Sequence, residues 1–461
     1  MPYEPAFTFA DLFAGIGGFH AALKHAGGEA VFVSEIDREA RETYIRNWVD
    51  TLPADAPRPV INEDINTATP DTGLVDVPEH IDVLTAGFPC QAFSKSGKQA
   101  GFEDETRGTL FFNICRVLEE RKPSVILLEN VRNLVGPRHV HEWAVIVERL
   151  REIGYRVSST PTVFSPHFLP PDLGGTPQVR DRVFILGTYV GPVRAMAETD
   201  VPPTLVRGPV DGWDADQWRV DWVLDDDETA ARAPYTLTAA EESWINAWDD
   251  LVGRLLESRE GQRLPGFPLW ADDWRTVADL HRTYDLDALP KWKADFLVKN
   301  ARFYEQHRVV IDQWRVDHPE FASFPPSRRK LEWQAQDTAS LWDTVMHFRP
   351  SGIRAKRATY LPALVAITQT SIVGKHQRRL TEHEAIRLQG MPPEFSFGDQ
   401  RPAASYKQAG NGVAVGAAYY ALRKHVQRDR ADIPAHIADA ILGADPNPSR
   451  GAVSAPKSPT V

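Results

Sequence analysis

The chain has 461 residues, 42% of them hydrophobic and 25% charged, the composition of a globular protein of two or three domains at about 150 residues each. That excludes collagen-like, coiled-coil and largely disordered classes. No apolar run approaches the roughly 18 residues of a membrane span, and no basic region followed by an apolar stretch marks a secretory signal. Two cysteines, Cys90 and Cys115, cannot build a disulfide framework and suit a reducing cytoplasm. The net charge of −11 argues against a nucleic-acid partner, but its distribution does not. Residues 191–298 hold 22 acidic against 11 basic side chains, whereas 299–380 hold 14 basic against 7 acidic. The basic stretch includes Arg328, Arg329, Arg354, Lys356 and Arg357, a candidate phosphate-contacting surface that could equally be a solvated charged face.

In chain order, apolar runs at 7–13, 30–34, 81–86, 124–128 and 183–186 read as buried strands. Segments 16–26, 38–48, 108–120 and 141–153 between them read as helices. Such alternation predicts an α/β fold, a parallel sheet with helices on both faces, whose ligands sit at the carboxyl ends of the strands. Beyond Tyr189 the chain becomes rich in Pro, Asp and Trp, and 11 of the 13 tryptophans lie between Trp213 and Trp342. A second, smaller domain is therefore expected. The pairs Trp218/Trp222, Trp244/Trp248 and Trp270/Trp274 read as core anchors of short helices. The sheet-domain pattern returns near 400, giving domains of 1–190, 191–399 and a completing segment of 400–435, with 436–461 expected to be disordered.

The first strand runs into Asp11-Leu-Phe-Ala-Gly-Ile-Gly-Gly-Phe19, a glycine-rich turn opening a helix, where backbone N–H groups can approach a ligand. Its G-x-G-G spacing departs from the G-x-G-x-x-G of dinucleotide sites and disfavours nicotinamide or flavin. Glu35, twenty positions beyond Gly15, can accept hydrogen bonds from ribose hydroxyls or simply be a polar strand end. The strand at 81–86 leads into Gly-Phe-Pro-Cys90, placing a thiol at the ligand edge, while Cys115 reads as a small buried hydrophobe. Glu129 ends the strand at 124–128, where partial burial would raise its pKa toward that of a general acid. Arg180 and Arg182 alternate on an extended segment and suit anion contacts or structural ion pairs alike.

Taken in order, DLFAGIGGF, AGFPCQAFS, LLENV, QVRDRVF, RRLTEHEAIRLQGMP and YKQAGNGVAVGA resemble the signature blocks of the DNA cytosine-5 methyltransferases of bacterial restriction-modification systems. The resemblance covers roughly residues 8–190 and 378–425. It implies an S-adenosylmethionine-dependent, Rossmann-like catalytic domain with a target-recognition domain, acting on a cytosine flipped out of duplex DNA. Cys90 would be the nucleophile toward carbon 6. Glu129 would hold ring nitrogen 3 and the amine, and Arg182, with Arg180 beside it, would hold the base oxygen and support the thiolate. Phe13, Gly15 and Gly17 would line the methionine end of S-adenosylmethionine, Glu35 its ribose and Ile36 its adenine face. Asp64, Asn411 and Val413 would complete the cofactor contacts. Ile36 stands where the family often has an aromatic residue. The resemblance further implies a bacterial cytoplasmic enzyme associated with the nucleoid through DNA, paired with a restriction endonuclease, and using neither metal nor membrane. An RNA cytosine-5 methyltransferase and a catalytically silent DNA-binding protein are the alternatives. The long insert between QVRDR and RRLTEHE disfavours the first, and the intact Cys90, Glu129, Arg180 and Arg182 disfavour the second.

Overall fold

The computed structural model describes residues 5–89, 110–225, 235–260, 262–336, 338–364 and 370–454, so Cys90 lies outside the described residues. The chain divides into two compact units: residues 1–223, 362–368 and 382–461 form the first, and 224–361 with 369–381 form the second. The second unit is thus narrower than the 191–399 expected from composition. Segment 191–223 belongs to the first because Trp213 and Trp218 both donate their indole N–H to the carbonyl of His167, each at 3.0 Å.

The first unit is built on eight strands, of which β1 (Phe7–Leu12), β2 (Gly28–Ser34), β3 (Val60–Asn62), β4 (Val83–Gly87) and β5 (Val125–Val131) are parallel, in the order β3-β2-β1-β4-β5. These strands are nearly continuous runs of Val, Ile, Leu, Phe and Ala, as a sheet covered on both faces requires. Helices α1 (Gly18–His25), α2 (Arg38–Tyr44), α3 (Leu110–Arg121) and α4 (Val140–Ile153) accompany them. On α3, Phe111, Ile114, Cys115, Val117 and Leu118 are buried together, so Cys115 is the packed thiol expected of it.

The expected parallel sheet holds for β1 to β5, but the strand predicted at 183–186 joins it antiparallel. After α4 come two short strands, β6 (Tyr155–Val157) and β7 (Thr162–Phe164), and then β8 (Arg182–Tyr189), which inserts antiparallel between β5 and the β6/β7 edge. The helices between β7 and β8 are two single-turn 3-10 helices, Pro166–Phe168 and Pro171–Leu173, with no α-helix, so the chain returns by reversing direction instead of crossing over the sheet.

The C-terminal part of this unit also departs from the reading of residues 436–461 as disordered. Helix Ala435–Gly443 buries Ile437, Ala438 and Ile441, which share one face at helical spacing, and the Tyr419 hydroxyl donates to the Ile441 carbonyl at 3.0 Å. The apolar face was hidden in the sequence by its proline- and alanine-rich surroundings. Helix Val415–Arg428 precedes it and meets the sheet through a polar cluster: the Thr188 hydroxyl on β8 donates to Asp429 at 2.8 Å and shares a 2.9 Å hydrogen bond with His425 Nε2. Arg156 bridges Asp429 at 2.9 Å and Asp432 at 2.8 Å.

The second unit pairs six strands, including 330–334, 344–349 and 352–357, with two long helices. Helix Ala239–Ser258 begins with a reciprocal cap in which the Thr238 hydroxyl accepts from Glu241 N–H and the Glu241 carboxylate accepts from Thr238 N–H. Helix Lys291–Asp317 is broken at His307. Trp248, Trp274, Trp314 and Phe321 interlock as a core cluster, with ring centroids 4.6 to 6.2 Å apart. Of the expected helix-borne pairs, Trp244/Trp248 does lie on a helix, whereas Trp270 ends a short strand and Trp274 caps a single 3-10 turn. Among the described residues no helix is long and apolar enough to cross a membrane.

The His425–Asp429 cluster makes the first unit acid-sensitive in two stages. Burial holds His425 near pKa 3, so below the ordinary 6.5 the unfolded chain takes up a proton that the folded chain does not. Although burial opposes it, hydrogen bonding to Arg428 and the neighbouring charges hold Asp429 below the ordinary carboxylate value of 3.8, so its contribution is present above that value and lost as pH falls beneath it. Thermal melts are expected to show declining Tm from pH 7 downward; His425→Gln should flatten the upper stage, and Asp429→Asn should cost roughly 3 kcal/mol at pH 7.

Candidate active site

The parallel order reverses on either side of β1 and β4, and the carboxyl ends of β1, β2, β4 and β5 open on the edge where such sheets bind ligands. Along that edge lie the turn after β1, the end of β2 at Glu35, the end of β4 leading to Pro89, and the end of β5 at Glu129 and Asn130.

Glu129 is nearly buried, and its Oε1 accepts from Arg182 Nε at 2.7 Å. The antiparallel course of β8 makes this possible. It pairs Arg182 with Val131 and Phe184 with Glu129, so the first residue of β8 stands beside the last residues of β5. The two side chains are diagonal neighbours on one sheet face. Burial pushes the Glu129 carboxyl above its ordinary range, and Arg182 and then Arg180 oppose the shift. Gly87 on β4 faces Glu129, and a side chain there would first meet the Glu129 carboxylate, at 3.7 Å. Asn130, which sequence reasoning passed over, donates its Nδ2 to the carbonyl of Phe88 at 2.9 Å and so fixes the chain two residues before Cys90. Its signal was its place inside LLENV, between the acid and the strand end.

Arg180 departs from its neighbour. Its side chain is buried, its Nη2 donates to the carbonyls of Gly410 and Gly412, and its Nη1 donates to that of Leu364. Burial, reinforced by the Arg182 charge, lowers its pKa to about 9.

In the glycine turn, Phe13 and Gly15 both take a left-handed conformation with φ of 56°, and Gly17 follows at 86°. A non-glycine residue held there carries local strain. The glycines serve different ends. A side chain at Gly17 would strike the Trp48 indole at 2.2 Å, and one at Gly18 would strike Val413 at 2.6 Å, whereas Gly15 has nothing within 4 Å. Gly15 is therefore the one of these three glycines beside which space is open. Glu35 Oε2 accepts from Gly15 N–H and its Oε1 from Asp37 N–H, each at 2.7 Å, and burial raises its pKa. Ile36 beside it is 71% exposed, an apolar surface open to the solvent at this edge. Asp64 caps the short helix Ile65–Ala68 through Asn66 N–H at 3.0 Å. Asn411 is exposed and Val413 buried against the start of α1.

Two further residues escaped the sequence reading. Trp48 donates its indole N–H to the Ile16 carbonyl at 2.9 Å and stacks on His20 with centroids 4.7 Å apart, propping the glycine turn from beneath. Asp11, fully buried on β1, accepts from the Thr85 hydroxyl at 2.8 Å, and burial pushes it up to about 7. An aspartate amid the apolar residues of a strand was the available signal.

In the second unit, Arg328 is sandwiched by Trp244 and Phe348, with centroids 5.3 and 4.5 Å from its guanidinium, and Arg329 pairs with Asp272 at 2.6 Å. Arg354 pairs with Glu332 at 2.6 Å, Lys356 lies over the Tyr360 ring, and Arg357 ends the strand 352–357 opposite Thr344. No group of three or more His, Cys, Asp or Glu able to hold a metal occurs among the described residues.

The family of C-5 cytosine-specific DNA methylases matches residues 7–427. The Type II methyltransferase M.AluI of Cellulosimicrobium cellulans is 45% identical over 97% of this chain and 98% of its own. M.BanI of Aneurinibacillus aneurinilyticus is 29% identical over 88% and 92%, and M.HhaI of Haemophilus parahaemolyticus 39% over 39% and 48%. Among solved structures, the S. pombe Dnmt2 methyltransferase superposes with a TM-score of 0.45 at 15% identity, over 92% of this chain and 99% of that one. On its sequence relatives, the protein belongs to the C-5 cytosine-specific DNA methylases and is a DNA (cytosine-5-)methyltransferase.

Proposed function

We propose that the protein methylates carbon 5 of one cytosine within a specific duplex sequence, through a covalent adduct of Cys90 with the flipped base, as the modification enzyme of a restriction-modification system. The observation that carries this reading is the Glu129–Arg182 pair, held at the carboxyl edge beside the strand that leads to Cys90.

The residues at the sheet edge fit S-adenosylmethionine: open space at Gly15, a carboxylate at Glu35 for ribose hydroxyls, and the exposed apolar Ile36 for the adenine face. Phe13, Gly17, Asp64, Asn411 and Val413 complete the proposed contacts, Val413 abutting the start of α1 at Gly18. When bound, this cofactor supplies an electrophilic methyl group. The chain's own groups prepare the acceptor. The Cys90 sulfur adds to carbon 6, which is out of reach in a stacked duplex and so requires a flipped base, and carbon 5 becomes electron-rich. Glu129, with its raised pKa, holds a proton toward ring nitrogen 3 as negative charge develops on the ring, and Arg182 meets the base oxygen. After carbon 5 has gained its substituent, loss of its proton expels the thiolate. Before a base arrives, the 2.7 Å contact between Glu129 and Arg182 holds both side chains in place, so the flipped cytosine inserts into an arrangement already oriented. The second unit, with Arg328, Arg329, Arg354, Lys356 and Arg357, is the proposed recognition surface for DNA.

Genomic DNA methylated by the purified protein and sequenced at base resolution should show 5-methylcytosine at one position of one short motif; scattered or absent marks would refute the assignment. With duplex carrying 5-fluorocytosine and S-adenosylmethionine, the native protein should form a covalent adduct, and Cys90→Ser should form none while retaining DNA binding. Glu129→Gln is expected to lower kcat about 100-fold and to remove the loss of rate on the alkaline side that deprotonation of Glu129 imposes. Asn130→Leu, by freeing the chain before Cys90, should slow adduct formation about tenfold at unchanged DNA affinity, measured by single-turnover trapping.

A further inference from the structure

Arg180 and Arg182 sit two residues apart on one extended segment, yet they do different work. Arg182 reaches Glu129 at 2.7 Å, while the buried Arg180 guanidinium donates to Gly410 O at 2.8 Å, to Gly412 O, and to Leu364 O at 3.2 Å. The two glycine carbonyls flank Asn411. Val413, the next residue on, abuts the start of α1, where a side chain at Gly18 would strike it at 2.6 Å. A continuous path of contacts therefore runs from Arg180 through 410–413 to the glycine turn. Arg180 is itself anchored, because its backbone N–H donates to Ser165 Oγ at 2.8 Å and Ser165 shares a 2.7 Å hydrogen bond with His167 Nδ1. The surrounding contacts are equally close. Thr176 Oγ1 donates to Leu388 O at 2.8 Å, and a side chain at Gly416 would lie 1.9 Å from Gly174 O.

We propose that Arg180 is a positioning residue: its guanidinium clamps segment 410–413 against the 165–182 segment and thereby shapes the cofactor side of the site, without touching the base. The planar fork reaches the three carbonyls from two separate nitrogens, Nη1 and Nη2; a lysine ammonium has three donors but carries them on a single atom with a different reach and geometry. Losing the fork would leave three carbonyls without their donors. Leu364, which accepts from Arg180 Nη1, belongs to the first unit together with the 410–413 segment.

This inference rests on the assignment of Asn411 and Val413 to the cofactor, and its test separates the two. Calorimetry with S-adenosylhomocysteine, steady-state kinetics, and 5-fluorocytosine trapping at saturating S-adenosylmethionine are run on native protein, Arg180→Met, Arg180→Lys and Ser165→Ala. Arg180→Met should weaken S-adenosylhomocysteine binding and raise KM for S-adenosylmethionine about tenfold or more, with adduct formation at saturation within a few-fold of native. Arg180→Lys should rescue little of the loss, and Ser165→Ala should shift the same two quantities by a few-fold in the same direction. Unchanged binding with collapsed kcat and trapping would overturn the proposal and place Arg180 at the base, to which its unpartnered Nε would then be directed. Should Arg180→Met lose its cooperative melt, Ser165→Ala with native affinity would overturn it equally. Native protein that bound no S-adenosylhomocysteine would refute the cofactor assignment, and this inference with it; native binding matched by Arg180→Met would refute this inference alone.

Discussion

The antiparallel pairing of β5 with β8 is the constraint on which the candidate site depends. A carboxylate at the end of a parallel strand can be met by a cation at the start of its neighbour only if the neighbour runs the other way. Eight residues of β8, inserted between β5 and the β6/β7 edge, bring Arg182 to Glu129. The ion pair is mostly buried, and that burial gives it consequence. In a low-dielectric site the carboxyl is pushed toward its protonated form while the adjacent guanidinium draws it back.

Around that pair the molecule spends its conformational exceptions at one edge. Phe13 and Gly15 adopt left-handed backbone after β1, and Gly17 and Gly18 give up side chains to Trp48 and Val413. The glycine block thus combines two requirements that look alike in a sequence: close packing at Gly17 and Gly18, and vacant space at Gly15. Trp48, His20 and Tyr44 support the turn from below, His20 sharing a 2.5 Å hydrogen bond with the Tyr44 hydroxyl. The far end of the chain closes the same edge through Arg180 and the Gly174–Gly416 approach, so residues more than two hundred positions apart share one small volume.

The second unit explains why its tryptophans dominate the composition. Indoles fill the space between two helices and a sheet with few residues, and Trp248 and Trp314 also place their N–H groups on the carbonyls of Arg328 and Ala247, each at 2.8 Å. The acidic excess of 191–298 is in part consumed there by pairing with the basic 299–380 stretch, as with Asp272 and Arg329 or Glu241 and Arg379. Arg328 and Arg329 are engaged by rings and by Asp272, so basic charge in a sequence does not by itself mark a contact surface.

Strands β1, β2, β4 and β5, helices α1 to α4 and the strand-end positions of Glu35 and Glu129 were legible because local periodicity and turn chemistry decide them. The sequence alone also determined the family, since six ordered blocks carry the residue types that the chemistry needs. What it could not disclose depends on distant partners. The direction of β8, the different tasks of Arg180 and Arg182, the prop of Trp48, the tie from Asn130 to Phe88 and the ordered helix at 435–443 were decided by tertiary structure alone. Each rests on a hydrogen bond or burial made with a residue remote in sequence, or on a strand pairing whose direction is set only when the sheet closes, and local pattern contains no term for either.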